Sequence, residues 1–276
     1  MAIKTALFTA GFSNYPLERA FEAAARNKYD GIEIGGFRPH AYAPDLARGG
    51  AEKIRRLSER YALPIVSYAP ENTGSPYSLV FADKVMNAES LEYFKLTLDM
   101  AKAIGSEYCM FACNHPGYGR NREDVKKLFI DNMRILAEHA ESIGETIILE
   151  PVTPYEGTIV TTSDDVRWAL DQVDSPRFKC MLDLACPLTC GEPVCDYFEK
   201  MGSDVRHVHF IDCMSTSADH LIPGDGEMDF PRIVSYLKRI GYEGYLSLEL
   251  FSRYANEPDF AAERGYKVIR SLLDEN

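Results

Sequence analysis

Eight short apolar runs, each followed by a stretch with helical patterning, restrict this chain to very few folds. They read KTALFTA (4–10), GIEIGG (31–36), PIVSYAP (64–70), EYCMFAC (107–113), TIILEP (146–151), FKCMLDL (178–184), RHVHFID (206–212) and GYLSLEL (244–250). Between them lie segments such as PLERAFEAAARNK, GAEKIRRLSERYA, ESLEYFKLTLDMAKAIG, REDVKKLFIDNMRILAEHAESIG and SDDVRWALDQV. Their apolar residues fall at i, i+3, i+4 and i+7, the stripe of a helix lying on a sheet. Ser163 is the expected N-cap of the last of these segments. Glycines in AIGSEY and IGYEGY mark where helices end and strands restart. Strands alternating with helices build a parallel sheet. Eight repeats of about 34 residues predict a (β/α)8 TIM barrel, one domain over residues 1–276. The competing arrangement, an open doubly wound sheet, lacks its G-x-G-x-x-G after any run.

Four of the later runs share an anomaly: each carries an ionisable residue near its end. TIILEP ends on Glu150 before a proline, FKCMLDL carries Asp183, RHVHFID carries His209 and GYLSLEL carries Glu249. Side chains alternate along a strand, so Leu246, Leu248 and Leu250 face the helices and Glu249 faces inward. The intervals are 33, 26 and 40 residues, one βα unit each, and chemistry in such a barrel sits at the C-terminal ends of the strands. The four side chains therefore converge at one side of the mouth. Three carboxylates packed together repel, and desolvating each costs several kcal/mol. One divalent cation removes both problems. Three oxygen donors and an imidazole suit Mn²⁺ first, with Mg²⁺, Co²⁺, Ni²⁺, Fe²⁺ or Zn²⁺ also compatible, better than a metal that demands thiolates.

Composition narrows the partners. A net charge of −12 and a pI near 5.0 oppose a nucleic-acid surface. No run approaches the ~20 apolar residues that span a bilayer, and the N-terminal stretch reads as the first strand. The seven cysteines, Cys109, Cys113, Cys180, Cys186, Cys190, Cys195 and Cys213, contain no C-x-x-C pair. A reduced, cytoplasmic setting is expected, with most thiols acting as small buried apolar groups.

The strand-end set Glu, Asp, His, Glu, with EPVTPYE and HLIPGDGEMDF, resembles the xylose isomerase-like sugar isomerase and epimerase superfamily. More narrowly, GIEIGGFRPHAYAPDL, SYAPENTGSPY, HPGYG, LEPVTPYE and YANEP resemble the fructoselysine 3-epimerases and, more distantly, the ketose 3-epimerases. The resemblance runs over nearly the whole chain and implies a metal-dependent sugar 3-epimerase. It implies one divalent metal on Glu150, Asp183, His209 and Glu249, acting as a Lewis acid on a ketose. Glu150 and Glu249 would be the acid/base pair on opposite faces of the sugar, working through a metal-held enediolate. Glu156 would hydrogen-bond and orient the catalytic carboxylate. A small-molecule substrate follows, a sugar or N-linked sugar-amine such as fructoselysine interconverted with psicoselysine. A homodimer or homotetramer is the implied assembly.

One departure bears on substrate. Ketose 3-epimerases often read D-x-x-H at the sixth strand, whereas this chain reads DLAC with Cys186. A compact thiol leaves room and removes a donor, which favours a sugar with a bulky amine substituent at C1. His115 and His220 are candidate substrate contacts, and Arg38 and His40 can bind an anionic group or form plain salt bridges. Gly224 and Gly226 are expected at positive φ, His139 is expected to be structural, and His207 to lie one layer below His209. Free-ketose 3-epimerase, inosose dehydratase and hydroxypyruvate isomerase are alternatives using the same metal cage. A sugar-binding protein needs no opposed acid/base pair. The superfamily's DNA-repair endonucleases need further histidines that PIVSYAPENTG and DLAC lack.

Overall fold

The computed structural model describes residues 3–70 and 76–275. Residues 71–75 of the SYAPENTGSPY motif lie outside the described residues. Eight parallel strands close into a barrel in chain order: β1 Lys4–Phe8, β2 Gly31–Gly36, β3 Ile65–Pro70, β4 Cys109–Ala112, β5 Ile147–Glu150, β6 Phe178–Asp183, β7 Val205–His209 and β8 Tyr245–Leu248. Closure is made by β1 pairing with β8, with Lys4 opposite Tyr245 and Leu7 opposite Leu248. The eightfold pattern is therefore a single TIM barrel. Each strand is shorter than its apolar run, except β2. Glu249 consequently sits one residue past β8, whereas Glu150, Asp183 and His209 are the last residues of their strands.

Two kinds of apolar surface hold the barrel. Outward-facing residues such as Leu7, Ile32, Ile34, Phe111, Ile147, Leu149 and Leu182 merge with the helix stripes into one large core. Inside, Phe8, Ala69, Met110, Ile148 and Met181 pack together, and Ala6, Val66 and Tyr245 form a separate layer. Each fully buried Leu, Ile or Phe contributes about 1.5–3 kcal/mol relative to exposure.

Helix boundaries follow local chemistry. The helix Ser163–Val173 is capped by Thr162, not by the expected Ser163. The Thr162 hydroxyl accepts from the Asp165 N–H while the Asp165 carboxylate accepts from the Thr162 N–H, a capping box worth about 1 kcal/mol. Ser163 is already engaged, its N–H and hydroxyl both donating to Glu192 at 3.0 Å. The helix expected from residue 89 starts at Lys84, because Asp83 accepts from the N–H groups of Val85 and Met86. Gly105 and Gly144 close the long helices Lys84–Ile104 and Arg122–Ile143 in the left-handed region, at φ 79° and 70°. No helix among the described residues is long and apolar enough to cross a membrane.

Candidate active site

Barrel register brings the four strand-end residues into one cluster. Cys109 pairs with Ile147, and Ala112 with Glu150, while Asp183 pairs with His209 across β6 and β7. Ligand atoms of Glu150, Asp183, His209 and Glu249 all fall within 4.8 Å of one another, and all four residues are buried. His209 Nδ1 lies 2.8 Å from Glu150 Oε1, 2.7 Å from Glu249 Oε2 and 4.0 Å from Asp183 Oδ2.

This arrangement fits a cation. His209 Nδ1 and Glu249 Oε2 are buried, and no well-aligned hydrogen bond satisfies either among the described residues. Three carboxylates aimed at one point leave a charge debt that only positive charge at that point relieves. A proton goes part of the way. Burial opposes protonation of His209 and His220, yet the surrounding carboxylates, Glu249 first, hold both imidazoles well above the usual histidine range. The carboxylates respond unequally. Burial pushes Glu150 up to about 8, which the pull of His209 offsets only in part. Burial would raise Glu249 too, but His209 and His220 outweigh it and bring Glu249 to about 2. A divalent ion on these atoms suits hard oxygen donors plus one imidazole, and it inverts the local pKa logic.

The sequence reading overlooked Glu33, which lies inside the barrel on β2. Its Oε2 accepts from His207 Nε2 at 2.9 Å, His209 Nε2 at 3.2 Å and Ser247 Oγ at 2.7 Å. Burial raises a carboxyl, yet the two imidazoles outweigh it and keep Glu33 well below the carboxylate range. The clue was available in GIEIGG: a lone acid between two isoleucines of a buried strand. Asp212 was also overlooked. It is fully buried and accepts from the N–H groups of Cys213, Gly224, Gly226 and Met228, so it shapes the loop after β7.

Two of the remaining candidates face the cluster. His220 is buried, with Nε2 3.1 Å from Glu249 Oε2 and 3.4 Å from Asp183 Oδ2, while its Nδ1 lies 3.1 Å from the Ala218 carbonyl. The Glu156 carboxylate accepts from the Thr153 hydroxyl at 2.7 Å and the Thr153 N–H at 3.1 Å, and it lines the same cavity as Glu150, Asp183 and Glu249. The cavity walls are apolar, made by Phe8, Phe37, Met110, Val152 and Phe251.

Four other candidates lie outside that lining. The fully buried Cys186 thiol donates to the Pro151 carbonyl at 3.2 Å, and burial pushes its pKa well up. His115 Nδ1 accepts from the Gly117 N–H at 3.0 Å within its own loop. Arg38 forms a bidentate pair with Asp45 at 2.6 and 2.8 Å on the surface, and His40 Nε2 lies 2.9 Å from the Tyr15 carbonyl. His139 pairs with Asp99 at 2.8 Å between helices. Gly224 has φ +96°, as expected, but Gly226 has no positive φ. Glycine is needed there for space: a Cβ would meet Asp212 Oδ1 at 2.4 Å and the Cys213 carbonyl at 2.5 Å.

The chain belongs to the xylose isomerase-like TIM barrel family, whose model matches residues 21–272. It is 42% identical over 274 residues to the fructoselysine 3-epimerase of Escherichia coli O157:H7, covering 99% of this chain and 100% of that protein. Together with its relatives this makes it an enzyme of the isomerase class. The fold matches an L-ribulose 3-epimerase structure with TM-score 0.84 and 18% identity, covering 99% of this chain and 95% of that one. It also matches the D-allulose 3-epimerase of Methylomonas sp. in complex with D-allulose, with TM-score 0.81 and 21% identity, over 98% and 97%.

Proposed function

We propose that this enzyme is a metal-dependent sugar 3-epimerase whose substrate is a fructosamine, interconverting fructoselysine and its C3 epimer psicoselysine. The observation that carries the reading is the placement of two carboxylates, Glu150 and Glu249, at 2.8 and 2.7 Å from the same imidazole nitrogen in one buried cavity. Full-length identity of 42% to a fructoselysine 3-epimerase supports the substrate.

In this reading Glu150, Asp183, His209 and Glu249 hold one divalent metal, Mn²⁺ or a similar ion. When bound, it supplies Lewis-acid polarisation of the ketose carbonyl. The protein's own groups do the rest. One of Glu150 and Glu249 removes the C3 proton, and the other returns a proton to C3 from the opposite face. His220, beside Glu249 and Asp183, and Glu156, held by Thr153, are proposed to bind sugar oxygens and orient the chain. Phe8, Phe37 and Phe251 keep bulk water from the reacting carbon. His115, Arg38, His40 and Cys186 lie outside the lining, and Cys186 fixes the Pro151 carbonyl next to Glu150.

Competition assays on purified, metal-loaded enzyme test the substrate. Fructoselysine should show a higher kcat/KM than free fructose, tagatose or psicose, because binding of the amino-acid tail helps hold C3 between the carboxylates. A free ketose that wins by about tenfold or more, about 1.4 kcal/mol, makes the enzyme a plain ketose 3-epimerase.

A further inference from the structure

We propose that Glu33 is a positioning residue for the metal centre, holding the His209 ring in the orientation and tautomer that present Nδ1 to the acidic strand ends. The proposal rests on the cluster being a metal site. Phe8 stacks on the His209 ring with centroids 5.6 Å apart and planes at 20°, which sets the plane of the imidazole. Stacking leaves two orientations, related by a ring flip that exchanges Nδ1 with Cδ2 and Nε2 with Cε1. Glu33 selects one of them. With its hydrogen on Nε2, His209 donates to Glu33 Oε2 across this 3.2 Å contact, and the same tautomer leaves the Nδ1 lone pair for the cluster.

The network has the form of a positioning device. Space alone does not require a charge here, since Met110, Ile148 and Met181 fill the neighbouring barrel interior by apolar packing. A buried carboxylate costs several kcal/mol unless donors surround it. Glu33 Oε2 has three such donors, brought from β7 and β8: His207, His209 and Ser247. His207 and Ser247 hold the carboxylate so that it can hold His209. Carboxylates behind metal-bound histidines typically change metal affinity 10–100-fold when lost.

Glu33→Gln is the discriminating variant, because an amide fills the same space but presents either a donor or an acceptor to His209. Mn²⁺ affinity measured by chelator competition should fall about 10–100-fold, with cooperative thermal unfolding retained. In the Zn²⁺-loaded wild-type protein, ¹⁵N-histidine NMR should show His209 carrying its hydrogen on Nε2, and Glu33→Gln should weaken or split that signature. Affinity within threefold of wild type in a folded Glu33→Gln protein overturns the proposal. If that variant does not fold, the wild-type spectrum still decides: His209 with its hydrogen on Nδ1 overturns the proposal. Failure of the wild type to bind any divalent metal removes the metal centre as well, whereas unchanged affinity in Glu33→Gln removes only the role of Glu33.

Discussion

The Nδ1 of His209 and the Oε2 of Glu249 stand 2.7 Å apart, both buried, and no well-aligned hydrogen bond satisfies either among the described residues. Against the opposing effect of burial, Glu249 at this separation holds His209 well above the usual histidine range, so positive charge is drawn to the point between them. The cluster of Glu150, Asp183, His209 and Glu249 is accordingly the point at which fold, charge and chemistry meet.

Asp183→Asn tests the ligand set. Asp183 Oδ1 accepts from the Ala185 N–H at 2.7 Å, an interaction that asparagine can keep, so the barrel should remain folded. Wild type should bind one divalent ion per chain. The variant's dissociation constant should rise by about two orders of magnitude, about 2.7 kcal/mol, measured by calorimetry or metal analysis. Undiminished binding removes Asp183 from the set.

Metal affinity should depend on pH with a definite sign. Glu150 is pushed up to about 8, and His209 is held above its usual range, so both carry protons near neutrality that a metal must displace. Affinity should therefore climb as pH rises through about 8 and fall below it, by up to tenfold per unit for each proton released. Calorimetry in buffers of different ionisation enthalpy counts those protons. A flat profile from about pH 6 to about pH 9 contradicts the assignment.

Glu150→Gln and Glu249→Gln should each lower epimerisation by about 10²–10⁴-fold. If the two carboxylates serve opposite faces of C3, each variant should still exchange the C3 proton of one epimer and not the other. Wild-type turnover in either variant excludes the two-base scheme.

Gly226→Ala should destabilise the loop after β7. The new methyl would sit 2.4 Å from Asp212 Oδ1 and 2.5 Å from the Cys213 carbonyl, breaking the set of N–H groups gathered on that carboxylate. Such overpacking typically costs about 1–3 kcal/mol, readable as a lowered melting temperature. A melting temperature equal to wild type shows that the loop can shift aside.

Much of this architecture was legible in the sequence because it is periodic. Strand runs of period two and helix stripes of period 3.6 fix a barrel, and one acid or histidine per βα unit fixes where the later strands end. Glu33 was not legible in the same way: it sits mid-strand in GIEIGG, and its meaning depends on His207, His209 and Ser247, 174 to 214 residues away. The cap at Thr162 rather than Ser163 turned on Glu192, another distant partner. Gly226 illustrates a third case, where a glycine serves close approach and not positive φ, a distinction carried by Asp212 and the Cys213 carbonyl. The apolar cavity wall of Phe8, Phe37 and Phe251 comes from three separate loops and strand ends that no local pattern connects.

The most direct measurement of the central claim is solvent deuterium incorporation during turnover of fructoselysine by the metal-loaded enzyme in heavy water, followed by NMR at each sugar carbon. Proton transfer between the sugar's C3 and the Glu150–Glu249 pair predicts deuterium at C3 of the epimerised product, dependent on divalent metal, with formation of that product lost in Glu150→Gln and Glu249→Gln. A label at C1 instead, a dehydrated product, or epimerisation without any solvent deuterium at C3 would contradict it.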